Sequence, residues 1–287
     1  MRKSLILLTY YMKEYFEYAW ALPPFLTLIC SMSIFPQTIA RGDMYVAIHL
    51  TLLSFNNVLA FFVILSLIIS FSLMLPREIL GPRQLLLAYP ISKVEYVIGQ
   101  TLLVIIIVPL SYTIPLLICS LTVGVRYMSE MLLGLTIATI SIILEGLLIL
   151  SISYLIPSQI ARRPLLLSMT LAGFYVLKFI VRILCFINSL TSQDPLIFYA
   201  SLITSPYACF SIFFTSLLTS WSSINVKFSM LVYPFNIISV PQGIFLSLVK
   251  KVLELSSYGV IVSVVSTLVL FFLACLVFEK YREVSVR

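Results

Sequence analysis

Apolar runs of bilayer length recur along the 287-residue chain, separated by short links that gather most of its charge. A membrane helix needs about 20 predominantly apolar residues to cross the hydrocarbon core. Hydrophobic residues make up 61% of the chain and charged residues only 10%, with a mean hydropathy of +1.12. That leaves too little polar surface to coat a globule in water. The expected class is an all-α polytopic membrane protein, one transmembrane domain over residues 1–287. The net charge of +7 would suggest nucleic acid in a soluble protein. Here the basic residues stand mostly in short patches between apolar runs, which is how membrane topology is written, so nucleic acid is discounted as a partner. Cys30, Cys119, Cys185, Cys209 and Cys275 are scattered with no CxxC pair, and are read as small buried hydrophobes.

Residues 3–18 are expected to form an amphipathic helix in the cytoplasmic interface. Lys3, Tyr10, Glu14 and Glu17 share one face, while Leu5, Leu8, Met12, Tyr15 and Ala19 form another. Trp20 anchors the point where the chain turns inward. Crossings are then expected at about 20–39, 53–75, 97–119, 131–156, 165–187 and 257–278. Pro109 and Pro115 fall inside the third, where neighbouring groups can satisfy the freed carbonyls, so a kink is expected rather than a break. With the N-terminus inside, the cytoplasmic segments hold Arg2, Lys3, Lys13, Arg77, Arg83, Lys93, Arg162, Arg163, Lys280, Arg282 and Arg287. The outer segments hold only Arg41, Arg126, Lys227, Lys250 and Lys251. The excess of basic residues inside places both termini in the cytoplasm, and the expected location is the plasma membrane.

Residues 188–256 are the ambiguous part. The runs 196–218 and 228–249 are each long enough to cross, but Pro206, Pro234, Pro241 and Gly243 interrupt them. The preferred reading is an outer segment of re-entrant or short helices, giving a six-helix bundle; two full crossings would give eight.

Chemistry is sparse. The chain has no Gly-rich loop ending in Gly-Lys-Ser/Thr, no HExxH and no GxSxG, and only one His, His49, read as a surface or interface residue. No catalytic residue, metal site or bound cofactor is expected. Glu145 and Lys178 are the unusual residues, since both fall near mid-membrane, where an unpaired charge is very expensive. They can neutralise each other as a bundle-locking pair, or line a substrate route. Arg182, about one turn beyond Lys178, shares its face and stands nearer the outer headgroups.

The cytoplasmic loop of about 76–96 carries a denser pattern. It reads Arg77-Glu78, then Gly81, Arg83, the apolar Leu85-Leu86-Leu87, Pro90-Ile91-Ser92-Lys93, and Gly99 just inside the next apolar run. This resembles the segment between the second and third membrane helices of ABC-2-type transporter permeases. The interfacial N-terminal helix and the six-crossing order also match. The chain departs from the family pattern at Pro82, where Thr is common, and at Gln100, where Lys is common. The resemblance implies a membrane subunit that forms the substrate route of an ATP-driven exporter. ATP and Mg2+ would be bound by a separate cytosolic ABC ATPase subunit. It also implies pairing with a second permease copy or a related permease among membrane lipid. Carried over residue by residue, Arg77, Glu78, Gly81 and Arg83 would couple to the ATPase, and Pro90, Ser92 and Lys93 would hold the loop's return to the membrane. A rival reading is an ion-coupled secondary transporter, disfavoured by helices without Asp and by the lack of clear repeats. A second rival is a non-transporting membrane scaffold.

Cysteines introduced at Ser4, Lys93 and Ser285 are expected to label from the cytoplasmic side and one at Asp43 from outside. Labelling of Lys93 from outside would contradict the topology.

Overall fold

The computed structural model describes residues 8–10, 12–13, 25, 63–69, 71–73, 93–121, 128–192, 194, 196–197, 205–210, 213 and 255–284. Among them the regular structure is helical throughout. Helix α1, Lys93–Val108, passes through a π-helical turn, Pro109–Thr113, into α2, Ile114–Leu121. Helix α3 is Met128–Leu155, α4 the single turn Ser158–Ala161, α5 Pro164–Ser192 and α6 Ser256–Val284.

Three stretches are long and apolar enough to cross a membrane: Val97–Ile118, Leu132–Leu155 and Ser257–Val277. The 24-residue stretch of α3 spans about 36 Å at 1.5 Å per residue, slightly more than the hydrocarbon thickness. These match the third, fourth and last expected crossings. The protein is thus a helical membrane protein. Helix α5 is of similar length, 29 residues, and its Pro164–Lys178 part is apolar. The π turn starts at Pro109, whose missing N–H cannot continue the α-helical ladder, and the helix resumes with Pro115 as its second residue. Both prolines are therefore carried within one continuous helical path.

Helix α3 is the centre. Over 18 residues of its apolar stretch 72% are buried inside the protein, against 44% over 18 residues of the α1–α2 stretch and 17% for α6. Helices α1, α5 and α6 and the π turn all pack on α3. Its core side chains include Leu135, Ala138, Ile142 and Ile149, which meet Leu103, Val104, Ile107 and Tyr112 from α1 and the π turn. The helical residues 63–69 and 71–73, which fall within the second expected crossing, add Val63, Leu67 and Phe71 to the same core. On α5 the inward stripe is Leu167, Leu171, Tyr175 and Lys178, spaced at three and four residues. Leu165, Met169, Val176 and Leu177 face outward. On α6, Gly259, Ser263, Thr267 and Ala274 are buried while Ile261, Val265, Phe272 and Leu276 are exposed. Small residues on the packed side let helix backbones approach in lipid, where apolar side chains gain little by leaving the acyl chains.

Several hydroxyls inside the helices bond back to their own backbone. Ser141, Ser151 and Ser153 donate to the carbonyls of Ala138, Leu147 and Leu150, each at 2.7 Å. Polar contacts also join α3 to α1 and the π turn along their antiparallel seam. The Tyr154 hydroxyl donates to Gln100 Oε1 at 2.5 Å near one end. The Thr113 and Thr139 hydroxyls meet at 2.7 Å towards the other.

The α3–α5 connection is tight. Ile160 and Ala161 donate backbone bonds to the Pro157 carbonyl, and Leu167 donates to Arg163. Pro164 opens α5 at a position where its missing N–H costs nothing, and the paired Arg162 and Arg163 are exposed. Near the N-terminus, where the sequence reading expects an amphipathic helix, Leu8 and Met12 pack against the core and Lys13 is exposed. Tyr10, placed by that reading on the polar face, also packs against the core; its ring is an apolar body with a polar tip. The first expected crossing, apart from Phe25, and the outer link with Asp43 and His49 lie outside the described residues, as does most of 198–254.

At Gly146, α3 lies tightly against α1. A Cβ there would stand 2.6 Å from Val104 Cγ1, and Val104 is fully buried and β-branched, so it has little rotamer freedom in a helix. Gly146→Leu is expected to lower stability by about 1–3 kcal/mol through overpacking. Adding Val104→Ala should recover part of that loss. Thermal unfolding in detergent checks both, and equal stability of Gly146→Leu and wild type would refute the contact.

Candidate functional site

Glu145 lies near the midpoint of the apolar stretch of α3 and is 1% exposed. Lys178, near the middle of α5, is 9% exposed. Glu145 has no charged residue within a turn of it on α3, and Lys178 has only Arg182 within a turn of it on α5. They meet: Lys178 Nζ lies 3.0 Å from Glu145 Oε2 and 3.4 Å from Oε1. A bare charge at this depth costs about 2.5–3.5 kcal/mol on insertion scales and more in other estimates. The contact cancels the net charge of the two helices at that level.

Three further groups complete the carboxylate's surroundings. The Tyr175 hydroxyl donates to Oε2 at 2.8 Å. Tyr175 precedes Lys178 by three residues and so shares its face of α5; the Lys178 ammonium also sits 4.8 Å from the centroid of its ring. Ser205 Oγ donates to Oε1 at 2.5 Å, and the backbone N–H of Tyr207 points at the same oxygen at 3.4 Å. Ser205 immediately precedes a short helical stretch, 206–210, with Pro206 at its first position. Ser before Pro is the usual chemistry for opening a helix. Ser205, Tyr207, Ala208, Cys209 and Phe210 are all buried.

Both carboxylate oxygens are thus engaged, by an ammonium, two hydroxyls and an amide. The chemistry of the arrangement is that of a junction: one anion on α3 joins two neighbours, α5 and the 205–210 segment. The bonds differ in kind. Lys178 removes net charge, whereas Ser205 and, at longer range, the Tyr207 amide are neutral donors; a well-formed hydrogen bond to a charged acceptor is worth about 1.5–3 kcal/mol.

Of the residues singled out in the sequence, the structure brings together Glu145 and Lys178. Arg182 lies on α5 one turn beyond Lys178. Lys93 is the first residue of α1. Arg77, Glu78, Gly81, Arg83, Pro90 and Ser92 lie outside the described residues. Tyr175, Ser205 and Tyr207 were not anticipated. Tyr175 could have been found from its three-residue spacing to Lys178, and Ser205 from the Ser-Pro pair, whereas a backbone amide carries no sequence signal. The segment containing Ser205 reaches Glu145, so part of 188–256 penetrates to the middle of the bundle. Among the described residues no group of three or more His, Cys, Asp or Glu could hold a metal. Cys185, Cys209 and Cys275 form no disulfide.

Compared with protein-family models, curated proteins and solved structures, the chain matches none. The fold defines a helical membrane protein with a buried ion pair.

Replacing Glu145 by Gln should leave Lys178 without its counter-charge, and replacing Lys178 by Met should do the converse. Each single change is expected to reduce abundance and thermal stability, and the double change to restore part of the loss. The coupling should be about 1–3 kcal/mol. Strictly additive losses would show that the two charges do not act together.

Proposed function

We propose that the chain is the membrane-spanning permease subunit of an ATP-driven ABC-2-type exporter, in the plasma membrane with both termini cytoplasmic. The observation that carries this reading is the ordered pattern from Arg77-Glu78 through Gly81, Leu85-Leu86-Leu87 and Pro90-Ile91-Ser92-Lys93 to Gly99. Its position supports the reading: Lys93 begins α1, and Gly99 is buried six residues later, where the helix enters the bundle. Exposed Arg162 and Arg163, at the turn between α3 and α5, lie at the same end of these helices as Lys93, given the antiparallel run of α1 and α3. Basic residues gathered at one end fit a cytoplasmic face.

In this reading six crossings form the bundle, and 188–256 returns from the outer side before the last. A cytosolic ABC ATPase binds ATP and Mg2+ and docks on the 76–96 loop and the interfacial N-terminal helix. Closure of the paired ATPases pulls these elements and changes which side the route between two permease copies faces. Arg77, Glu78 and Arg83 make the electrostatic contacts, while Pro90, Ser92 and Lys93 fix the loop's re-entry. The Glu145–Lys178 pair acts here as a lock within one permease rather than as a substrate contact, because both carboxylate oxygens are already engaged.

Affinity purification of the tagged chain from its native membrane should recover an ABC ATPase. Glu78→Lys or Arg83→Glu should weaken that recovery or uncouple hydrolysis from transport without preventing insertion, since a local charge contact changes while the apolar helices are untouched. Wild-type ATPase binding and transport in both variants would refute the loop assignment. Transport by the purified chain alone in liposomes would instead favour an ion-coupled carrier.

A further inference from the structure

We propose that residues 205–210 form a detachable element of the bundle, seated by Glu145 and able to leave without exposing a bare charge in the membrane. The inference goes beyond the exporter reading and does not depend on it. It comes from how the bonds to one carboxylate are divided. The neutralising group, Lys178, and the Tyr175 hydroxyl both belong to α5. The groups from 205–210 are neutral: the Ser205 hydroxyl and the Tyr207 amide, both on Oε1. Withdrawal of 205–210 therefore leaves Glu145 paired with Lys178 at 3.0 Å and bonded to Tyr175. Withdrawal of α5 would leave an unneutralised carboxylate in the apolar interior, which is far more costly. Of the two elements joined to α3 through Glu145, the 205–210 segment is the one the electrostatics allow to move.

Apolar packing does not override this difference. Tyr207, Ala208 and Phe210 are buried with the segment, but in a bilayer acyl chains can cover apolar side chains about as well as protein does, so the polar contacts weigh heavily in seating the segment. The Lys178 ammonium also contacts Oε1 at 3.4 Å, so the oxygen relinquished by Ser205 and Tyr207 keeps a donor. The device is a strap held by neutral hydrogen bonds to an ion pair that stays intact on either side of the movement.

Cys209 supplies a native reporter, since it lies in the segment and is 3% exposed. Two single-cysteine forms of the full chain are needed, one keeping only Cys209 and one only Cys185 on α5. Labelling rates with a small water-soluble methanethiosulfonate are measured in detergent or nanodiscs. Ser205→Ala should raise Cys209 labelling about ten-fold or more, because a hydrogen bond to a charged acceptor shifts an equilibrium by that order. Ser205→Thr, which keeps the hydroxyl, should label like wild type. The charge-neutral double variant Glu145→Gln with Lys178→Met should also raise Cys209 labelling. Cys185 labelling should change less than about two-fold in the Ser205 variants, since α5 keeps its own partner. Unchanged Cys209 labelling in folded Ser205→Ala would overturn the proposal. So would a parallel rise at Cys185, which would mean general loosening, or loss of folding by Ser205→Ala alone, since a detachable element cannot be required for the fold.

Discussion

A carboxylate buried in the middle of a membrane helix constrains everything around it. Glu145 is nearly inaccessible, and no residue within a turn of it on α3 carries a charge. An anion there must be neutralised by a neighbouring element and its oxygens must be bonded, or the helix would not remain in the bilayer as an ion. Lys178 and Tyr175 meet that requirement from α5, and Ser205 and the Tyr207 amide from a segment 60 residues further along. The register of α5 against α3 follows. Sliding α5 by one residue would turn Lys178 by about 100° away from Glu145 and put an apolar side chain in its place.

The rest of the bundle obeys the same logic with weaker terms. In lipid, apolar side chains have no water to escape, so helices associate through close packing and a few polar contacts. Helix α3 has both. Gly146 lets α1 approach until Val104 occupies the space where a Cβ would stand. The contacts Thr113–Thr139 and Tyr154–Gln100 then pin the α1–α3 seam on either side of Gly146. The small residues of α6 perform the corresponding role on another side of α3, while the outward side of α6 keeps its branched and aromatic residues for lipid. A π turn at Pro109 adjusts the helix beside this seam, and Tyr112 within that turn is fully buried.

Much of this was legible in the sequence, for a physical reason. Hydropathy reports the part of a helix immersed in hydrocarbon, so 97–119, 131–156 and 257–278 each agree with an apolar stretch of the structure to within a residue, while the helices themselves run beyond it at one end or both. Helix α1 starts at Lys93 and α6 continues to Val284 because charged residues such as Glu95 and Lys280 remain helical after leaving the apolar layer. Glu145 and Lys178 stood out because charge is rare at that depth. The hydroxyl and amide partners did not, since Ser and Tyr are common in apolar runs and every residue but Pro has an amide. Gln100 is instructive: read in the sequence as a departure from a family pattern, it is a buried amide whose oxygen accepts the Tyr154 hydroxyl from α3. That partner lies 54 residues away, and no local spacing could indicate it.

The central claim is that Glu145 and Lys178 form a contact ion pair within the bilayer, and their separation can be measured there directly. Solid-state NMR on the chain in lipid, with 13C-labelled glutamate carboxyls and 15N-labelled lysine side chains, detects dipolar dephasing between Glu145 Cδ and Lys178 Nζ. Subtraction of the Lys178→Met spectrum assigns the signal. An N–O contact of 3.0 Å predicts strong dephasing of one lysine resonance that the substitution removes. A buried lysine resonance with no carboxylate dephasing would contradict the account, since the anion on α3 would then be neutralised by something other than α5.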